Sequence, residues 1–291
     1  MDWLNAVIQG ILLGGLYALF ATGLSLAFGV LRFVNLAHGD LAILGAYLAF
    51  SSISTFDVNV WATFGIVVPI MFAVGYIAQR GLFDFTLGED PLPGILVSFG
   101  LGVVIQNALL VHYSATDRGL SVGSLATESI RISDDISVGW FPLIILLVAV
   151  GLLGGMQLFL SFTPLGRAFR AVSDDRDTAR LMGIDHRNLY GLAMGIAFAT
   201  VAVAGIFLGS RTTFAPAQGP SQLLFAFEAV VIGGLGSLWG TLLGGIVLGV
   251  AQTLGNQIDV DYGWMGGVLL GHLVFLAVLA FRPAGLLGAR S

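Results

Sequence analysis

Apolar runs bounded by short polar clusters fill the sequence almost from end to end, near 4–31, 34–53, 58–80, 94–113, 139–161, 189–210, 223–236, 238–257 and 262–281. A membrane-spanning helix needs about 20 predominantly apolar residues, so most of these runs are long enough to cross a bilayer. The run 223–236 is short and ends in glycines, and the total is eight or nine spans according to whether it crosses or re-enters. Hydrophobic residues make up 57% of the chain and charged residues 10%, against about 25% charged in soluble domains, which leaves no room for a sizeable soluble domain between the runs. The expected fold is an all-α polytopic transmembrane helix bundle of eight to nine spans, with residues 1–291 as one membrane domain.

The chain starts Met1-Asp2-Trp3 and turns apolar at once, which reads as a retained span and not a cleaved signal. Its first run of 28 residues would be about 42 Å long as one helix, against a hydrocarbon core of about 30 Å. It is expected to tilt or to break, with Gly23 and Gly29 as the candidate positions. Cytoplasmic loops of membrane proteins carry an excess of basic residues. Placing 162–188 inside and letting 223–236 cross puts Arg32, Arg80, Arg167, Arg170, Arg176, Arg180, Arg187, Arg282 and Arg290 on the cytoplasmic side. Arg118, Arg131 and Arg211 fall outside, so the N-terminus is expected to be external and the C-terminus cytoplasmic.

All 12 basic residues are arginine; without lysine there is no P-loop and no Schiff base, and without cysteine no thiolate nucleophile or Cys-based metal cluster. His38, His112, His186 and His272 are far apart and form no H-E-x-x-H pattern. No cofactor or metal is expected, and no basic face for nucleic acid. Glycines recur at four-residue spacing (Gly10/Gly14, Gly151/Gly155, Gly191/Gly195, Gly236/Gly240/Gly244, Gly245/Gly249, Gly267/Gly271), a pattern that lets helix backbones approach closely within a bundle or across a subunit contact.

Four segments hold the candidate chemistry. The polar stretch 162–188 carries five arginines and four aspartates, yet its apolar residues Ala171, Ala179, Leu181, Met182 and Ile184 recur at helical spacing. It reads as one or two amphipathic helices at the cytoplasmic surface, too long for a plain connector and suited to docking. At the mouth of the second run, Asn35, His38 and Asp40 flank Gly39, where a backbone break would expose amides and carbonyls to a substrate; the alternative is simple helix capping. Glu228 lies near the start of the short run 223–236, and with no carboxylate or histidine close by in sequence its role reads as structural or gating. Gln106, Asn107 and His112 in the fourth run either line a water path or hold helices together.

These segments resemble the permease family of branched-chain amino acid ABC importers, the Liv type, nearly from end to end. The likeness rests on Gly10 to Gly23 followed by Phe28-Gly29 and Val34-Asn35-Leu36-Ala37-His38-Gly39, on Leu165-Gly166-Arg167-Ala168 with Ala179-Arg180-Leu181-Met182-Gly183-Ile184, and on Gly233-Gly234-Leu235-Gly236-Ser237 with Gly240. The chain is more similar to the first member of the permease pair than to the second. The resemblance implies a multi-pass protein of a prokaryotic cytoplasmic (inner) membrane that works with a second permease subunit, two cytoplasmic ATP-binding-cassette subunits and an extracytoplasmic binding protein. ATP hydrolysis would belong to the partners, so the chain itself is not expected to be an enzyme. It implies an ATPase-coupling loop at 162–188, with Gly166, Arg167, Arg170, Ala171, Ala179, Leu181, Met182, Gly183 and Ile184 as its contact residues. Asn35, His38, Gly39, Gln106, Asn107 and Glu228 would then lie along the translocation path. A urea or short-amide importer permease is the nearest alternative; a proton-coupled transporter using Glu228 or Asp40, or a membrane enzyme using His38 and Asp40, are alternatives of other classes.

Overall fold

A computed structural model describes residues 2–32, 34–86, 90–133, 136–262 and 266–288. Apolar helices account for nearly all of it: α1 (Asp2–Leu31), α2 (His38–Phe56), α3 (Val60–Gly81), α4 (Leu92–Tyr113) and α5 (Trp140–Phe162) come first. Two short polar helices follow, α6 (Pro164–Asp174) and α7 (Arg176–Leu181), then α8 (His186–Arg211), α9 (Gly219–Gly233), α10 (Leu238–Tyr262) and α11 (Gly267–Phe281). A small hairpin of β1 (Ser129–Ser133) and β2 (Ile136–Gly139) interrupts the chain before α5. Among the described residues seven helices are long and apolar enough to cross a membrane, and α9 and α11, with 15 residues each, are shorter.

The first helix does not break. Asp2–Leu31 is continuous through Gly23 and Gly29 because its glycines serve packing instead of bending. A Cβ on Gly10 or Gly14 would run into the backbone of Val250 or Ile246, while one on Gly245 or Gly249 would meet Gly14 or Gly10. The two four-residue stripes interleave, and α1 and α10 lie backbone to backbone. Gly191 and Gly195 receive the rings of Tyr76 and Phe72 in the same way, and Gly267 and Gly271 abut Gln252. Gly151 and Gly155 on α5 have nothing within 4 Å among the described residues.

Helices α1 and α8 are buried along most of their length, whereas α3, α4 and α5 are largely exposed and surround them. The bundle has two distinct ends. At one, α6 lies against the end of α1, with Ser173 Oγ donating to Gly29 O at 2.6 Å, and Tyr76 on α3 donates to Asn188 at the start of α8. Residues 285–287 fold back there onto the end of α9, where Leu286 and Leu287 amides donate to Ile232 and Gly233 carbonyls. At the other end Gln9 donates to Ser137 of β2, and Arg118 and Phe214 form a short bridge.

Two helices start inside the bundle. His38, the first residue of α2, reaches Phe20 O at 2.7 Å, and Phe20 lies 11 residues before the end of α1, about 16 Å along the helix. The chain therefore leaves α1 at the α6 end and climbs back in non-helical form before α2 begins. Helix α9 likewise begins at depth, because Gly219 packs on Asp40 and Gly39 packs on Gly219 and Leu223. The first turns of α2 and α9 meet in the interior, and only glycine fits at either contact: a Cβ on Gly39 would overlap the Gly219 carbonyl.

Candidate functional site

Irregular backbone at membrane depth survives only when protein satisfies its polar groups. Here the Ala37 amide donates to Asn35 Oδ1 and the Leu36 amide to Ser98 Oγ of α4, both at 3.0 Å. Asn35, His38 and Gly39 thus come together at a helix break, as their spacing suggested, but all three are buried. His38 lies against Gly23, which also receives Thr200, and braces α2 on α1. The charged group at this junction is Asp40. Its buried carboxylate lies between the N-termini of α2 and α9 and beside Gly102 of α4, and its Oδ1 has no hydrogen-bond partner among the described residues. Two helix N-termini present positive partial charge to that carboxylate.

Glu228 lies on α9, away from this junction, and it does have a histidine neighbour. His272 of α11 places Nδ1 2.5 Å from Glu228 Oε1, 44 positions away in the chain. The pair adjoins an aromatic array: the Phe225 ring lies parallel to His272 and 5.2 Å from Tyr17, whose hydroxyl donates to Gln252 Oε1 at 2.5 Å. Sequence distance concealed the pairing; that Glu228 and His272 both interrupt apolar runs was the one available signal. The remaining candidates do not converge on either cluster. Asn107 is exposed on α4 and returns its amide to Val103 O, and Gln106 is half-buried one turn beyond Gly102. His112 stacks edge-on against Tyr113. No group of residues able to hold a metal occurs among the described residues.

The 162–188 segment folds as two self-capped helices. Thr163 accepts from the Gly166 amide to start α6, and Asp175 accepts from the Asp177 and Thr178 amides to start α7. The Thr178 hydroxyl also donates to Asp175 at 2.6 Å, and these bonds, the hydroxyl first, hold the Asp175 carboxyl below the usual carboxylate range. Phe169 and Val172 face the bundle, Gly166 lies on the backbone of Leu160, and Arg170 donates to Leu160 O. Arg167, Arg170 and Ala171 line the exposed side of α6. A cavity of about 230 Å³ separates the helix from α1 and is lined by Ser25, Gly29, Arg170, Ser173, Asp174 and Gly236.

The contact residues that the resemblance implies on α7 and just after it differ in exposure. Ala179 is buried and Ile184 half-buried. Gly183 holds φ +81 where α7 ends, a conformation that glycine adopts without strain. Leu181 and Met182 project instead, 87% and 78% exposed, side by side on a charged hairpin.

A family model described as "Branched-chain amino acid transport system / permease component" matches residues 6–279. The branched-chain amino acid permease BraD of Pseudomonas aeruginosa is 29% identical over 98% of this chain and 96% of its own length. LivH of Salmonella typhimurium is 28% identical with the same coverage. LivM of Escherichia coli is 26% identical over 94% of this chain but only 68% of its own length, so the chain resembles the BraD and LivH type in extent. With a match over nearly the whole sequence and apolar helices to fit it, the chain is a multi-pass membrane protein that belongs to the branched-chain amino acid transport system permease family.

Proposed function

We propose that this chain is one permease of a two-permease ABC importer that carries branched-chain amino acids into the cytoplasm. An extracytoplasmic binding protein delivers the substrate, and ATP is hydrolysed by two separate cassette subunits. The reading is carried by the end-to-end family match together with the α6–α7 hairpin, whose exposed Leu181 and Met182 offer a groove-filling contact to an ATPase. Residues 162–188 are the coupling element; the junction of α2 and α9, with Asn35, His38, Gly39 and Asp40, is the part of the translocation path that shifts with it. Discontinuous helices whose N-termini meet at depth suit this role, because their contacts rearrange without unravelling a whole span.

The coupling hairpin is cytoplasmic in this reading. The N-terminus is then external, the C-terminal residues 282–288 are cytoplasmic, and the chain crosses nine times. Helices α9 and α11 supply the two crossings that their length alone does not announce, since Arg211 is on the α8 end nearest the β-hairpin and Gly236 adjoins Gly29 at the coupling end. Eight of the nine arginines assigned inside fall within the described residues, and Arg290 lies outside them.

The test is co-expression with the ATPases, second permease and binding protein, reconstitution in vesicles, and measurement of substrate-stimulated ATP hydrolysis and uptake. Leucine, isoleucine and valine are expected to stimulate both, and urea neither. Stimulation by urea in place of the amino acids would overturn the substrate reading.

A further inference from the structure

Three buried polar atoms without a hydrogen-bond partner among the described residues belong to side chains grouped around Tyr17: Glu228 Oε2, Gln252 Nε2 and Arg211 Nη1. Gln252 accepts the Tyr17 hydroxyl through its other amide atom, and Glu228 and Arg211 both lie within electrostatic reach of that hydroxyl. Phe225 stacks between Tyr17 and His272, and His272 holds the second oxygen of Glu228. Glu228 is 1% exposed, while the His272 side chain, 31% exposed, forms the edge of the cluster. Unpaired polar atoms buried within the bundle are costly, and a bound polar molecule would meet them.

Their chemistry specifies that partner. One free atom is a carboxylate acceptor, one a guanidinium donor and one an amide donor, set against aromatic faces. A simple cation would leave the two donors unmet; a simple anion would leave Glu228 unmet. A neutral amide such as urea matches neither charge. We propose that Glu228, Gln252 and Arg211 are the groups that hold a zwitterionic α-amino acid in transit, Glu228 taking its ammonium and Arg211 with Gln252 its carboxylate. Tyr17 and Phe225 then wall the aliphatic side chain, and His272 fixes Glu228 in place. This assignment rests on the importer reading above and adds to it the atoms that read the substrate.

The test uses the assembled transporter in proteoliposomes with saturating leucine-loaded binding protein. Glu228→Gln and Arg211→Gln are each expected to lower maximal leucine uptake by roughly tenfold or more, the scale of a lost charged hydrogen bond. Arg211→Lys, which keeps the charge, is expected to recover part of the loss. Because a variant that loses its fold also loses uptake, a second measurement uses the wild-type complex without binding protein. Millimolar leucine is expected to raise its melting temperature, and leucinamide, which lacks the carboxylate, or 4-methylpentanoate, which lacks the ammonium, is not. Wild-type uptake in both Gln variants, or equal stabilisation by either analogue, overturns the assignment while leaving the importer reading standing. A wild-type complex that hydrolyses ATP but moves no branched-chain amino acid overturns the importer reading and this assignment with it.

Discussion

His38 Nε2 lies 2.7 Å from the carbonyl oxygen of Phe20, and this contact fixes where α2 begins. Because the acceptor is a carbonyl, Nε2 must carry a hydrogen, so the histidine acts here as a hydrogen-bond donor that ties α2 to α1. His38→Gln keeps an N–H donor within reach and is expected to cost under about 1 kcal/mol, whereas His38→Ala also opens a cavity and is expected to cost about 2 kcal/mol or more. Melting temperatures of the purified complex distinguish them. If uptake collapses in His38→Gln while stability is unchanged, the histidine does more than brace α2.

Gly39 is under a stricter constraint. From sequence, filling this position with leucine is expected to stop uptake and leave assembly intact. The structure changes that expectation, because even a methyl group at Gly39 overlaps the Gly219 carbonyl and crowds the Leu223 amide. Backbone cannot yield as a side-chain tip does, so the α2–α9 junction has to separate. Gly39→Ala is expected to lower the yield of folded, assembled protein, and Gly39→Leu to abolish it. Size-exclusion profiles of both variants check this; a well-assembled Gly39→Leu complex would show that the junction is looser than its packing.

On the α6–α7 segment the exposed pair Leu181 and Met182 is the place to probe docking. Leu181→Asp and Met182→Glu remove no contact within the chain, since both side chains are exposed, and should leave permease stability within about 0.5 kcal/mol of wild type. They are expected to weaken ATPase association and reduce uptake together, read by co-purification and transport. Ala179→Asp is expected to destabilise the hairpin itself, because Ala179 is buried. Normal ATPase association in both exposed-residue variants would place the docking contact elsewhere.

Much of this was legible in the sequence because each signal was local. Apolar runs reported the helices, and helical spacing in 162–188 reported α6 and α7, whose caps Thr163 and Asp175 the structure supplies. What was not legible depends on which helices become neighbours. Glu228 looked solitary because His272 is brought to it only by the packing of α11 on α9. Gly23 and Gly29 looked like break points because a glycine in a helix reads the same whether it bends the chain or admits a neighbour. Gly23 receives Ala197 O and Thr200, and α1 runs through it as one continuous helix. Ala179 and Gly183 were grouped with Leu181 and Met182 as contact residues, although Ala179 is turned inward and Gly183 answers a backbone requirement.

The absence of cysteine makes the nine-crossing topology directly testable, since every introduced cysteine is a unique label. Asp177 and Thr127 are exposed at opposite ends of the bundle, on α7 and beside the β-hairpin. Asp177→Cys is expected to react with a membrane-impermeant maleimide only in inside-out vesicles, and Thr127→Cys only in intact cells or right-side-out vesicles. The decisive pair brackets α9. Thr212 follows the end of α8 and Leu235 follows the end of α9, and both are exposed. If α9 completes a crossing, Thr212→Cys labels with Thr127→Cys from outside and Leu235→Cys labels with Asp177→Cys from inside. A re-entrant α9 places 212 and 235 on one side, which reduces the count to eight and moves residues 282–288 to the exterior. That outcome would also separate those residues from the coupling end, where they now pack on Ile232 and Gly233.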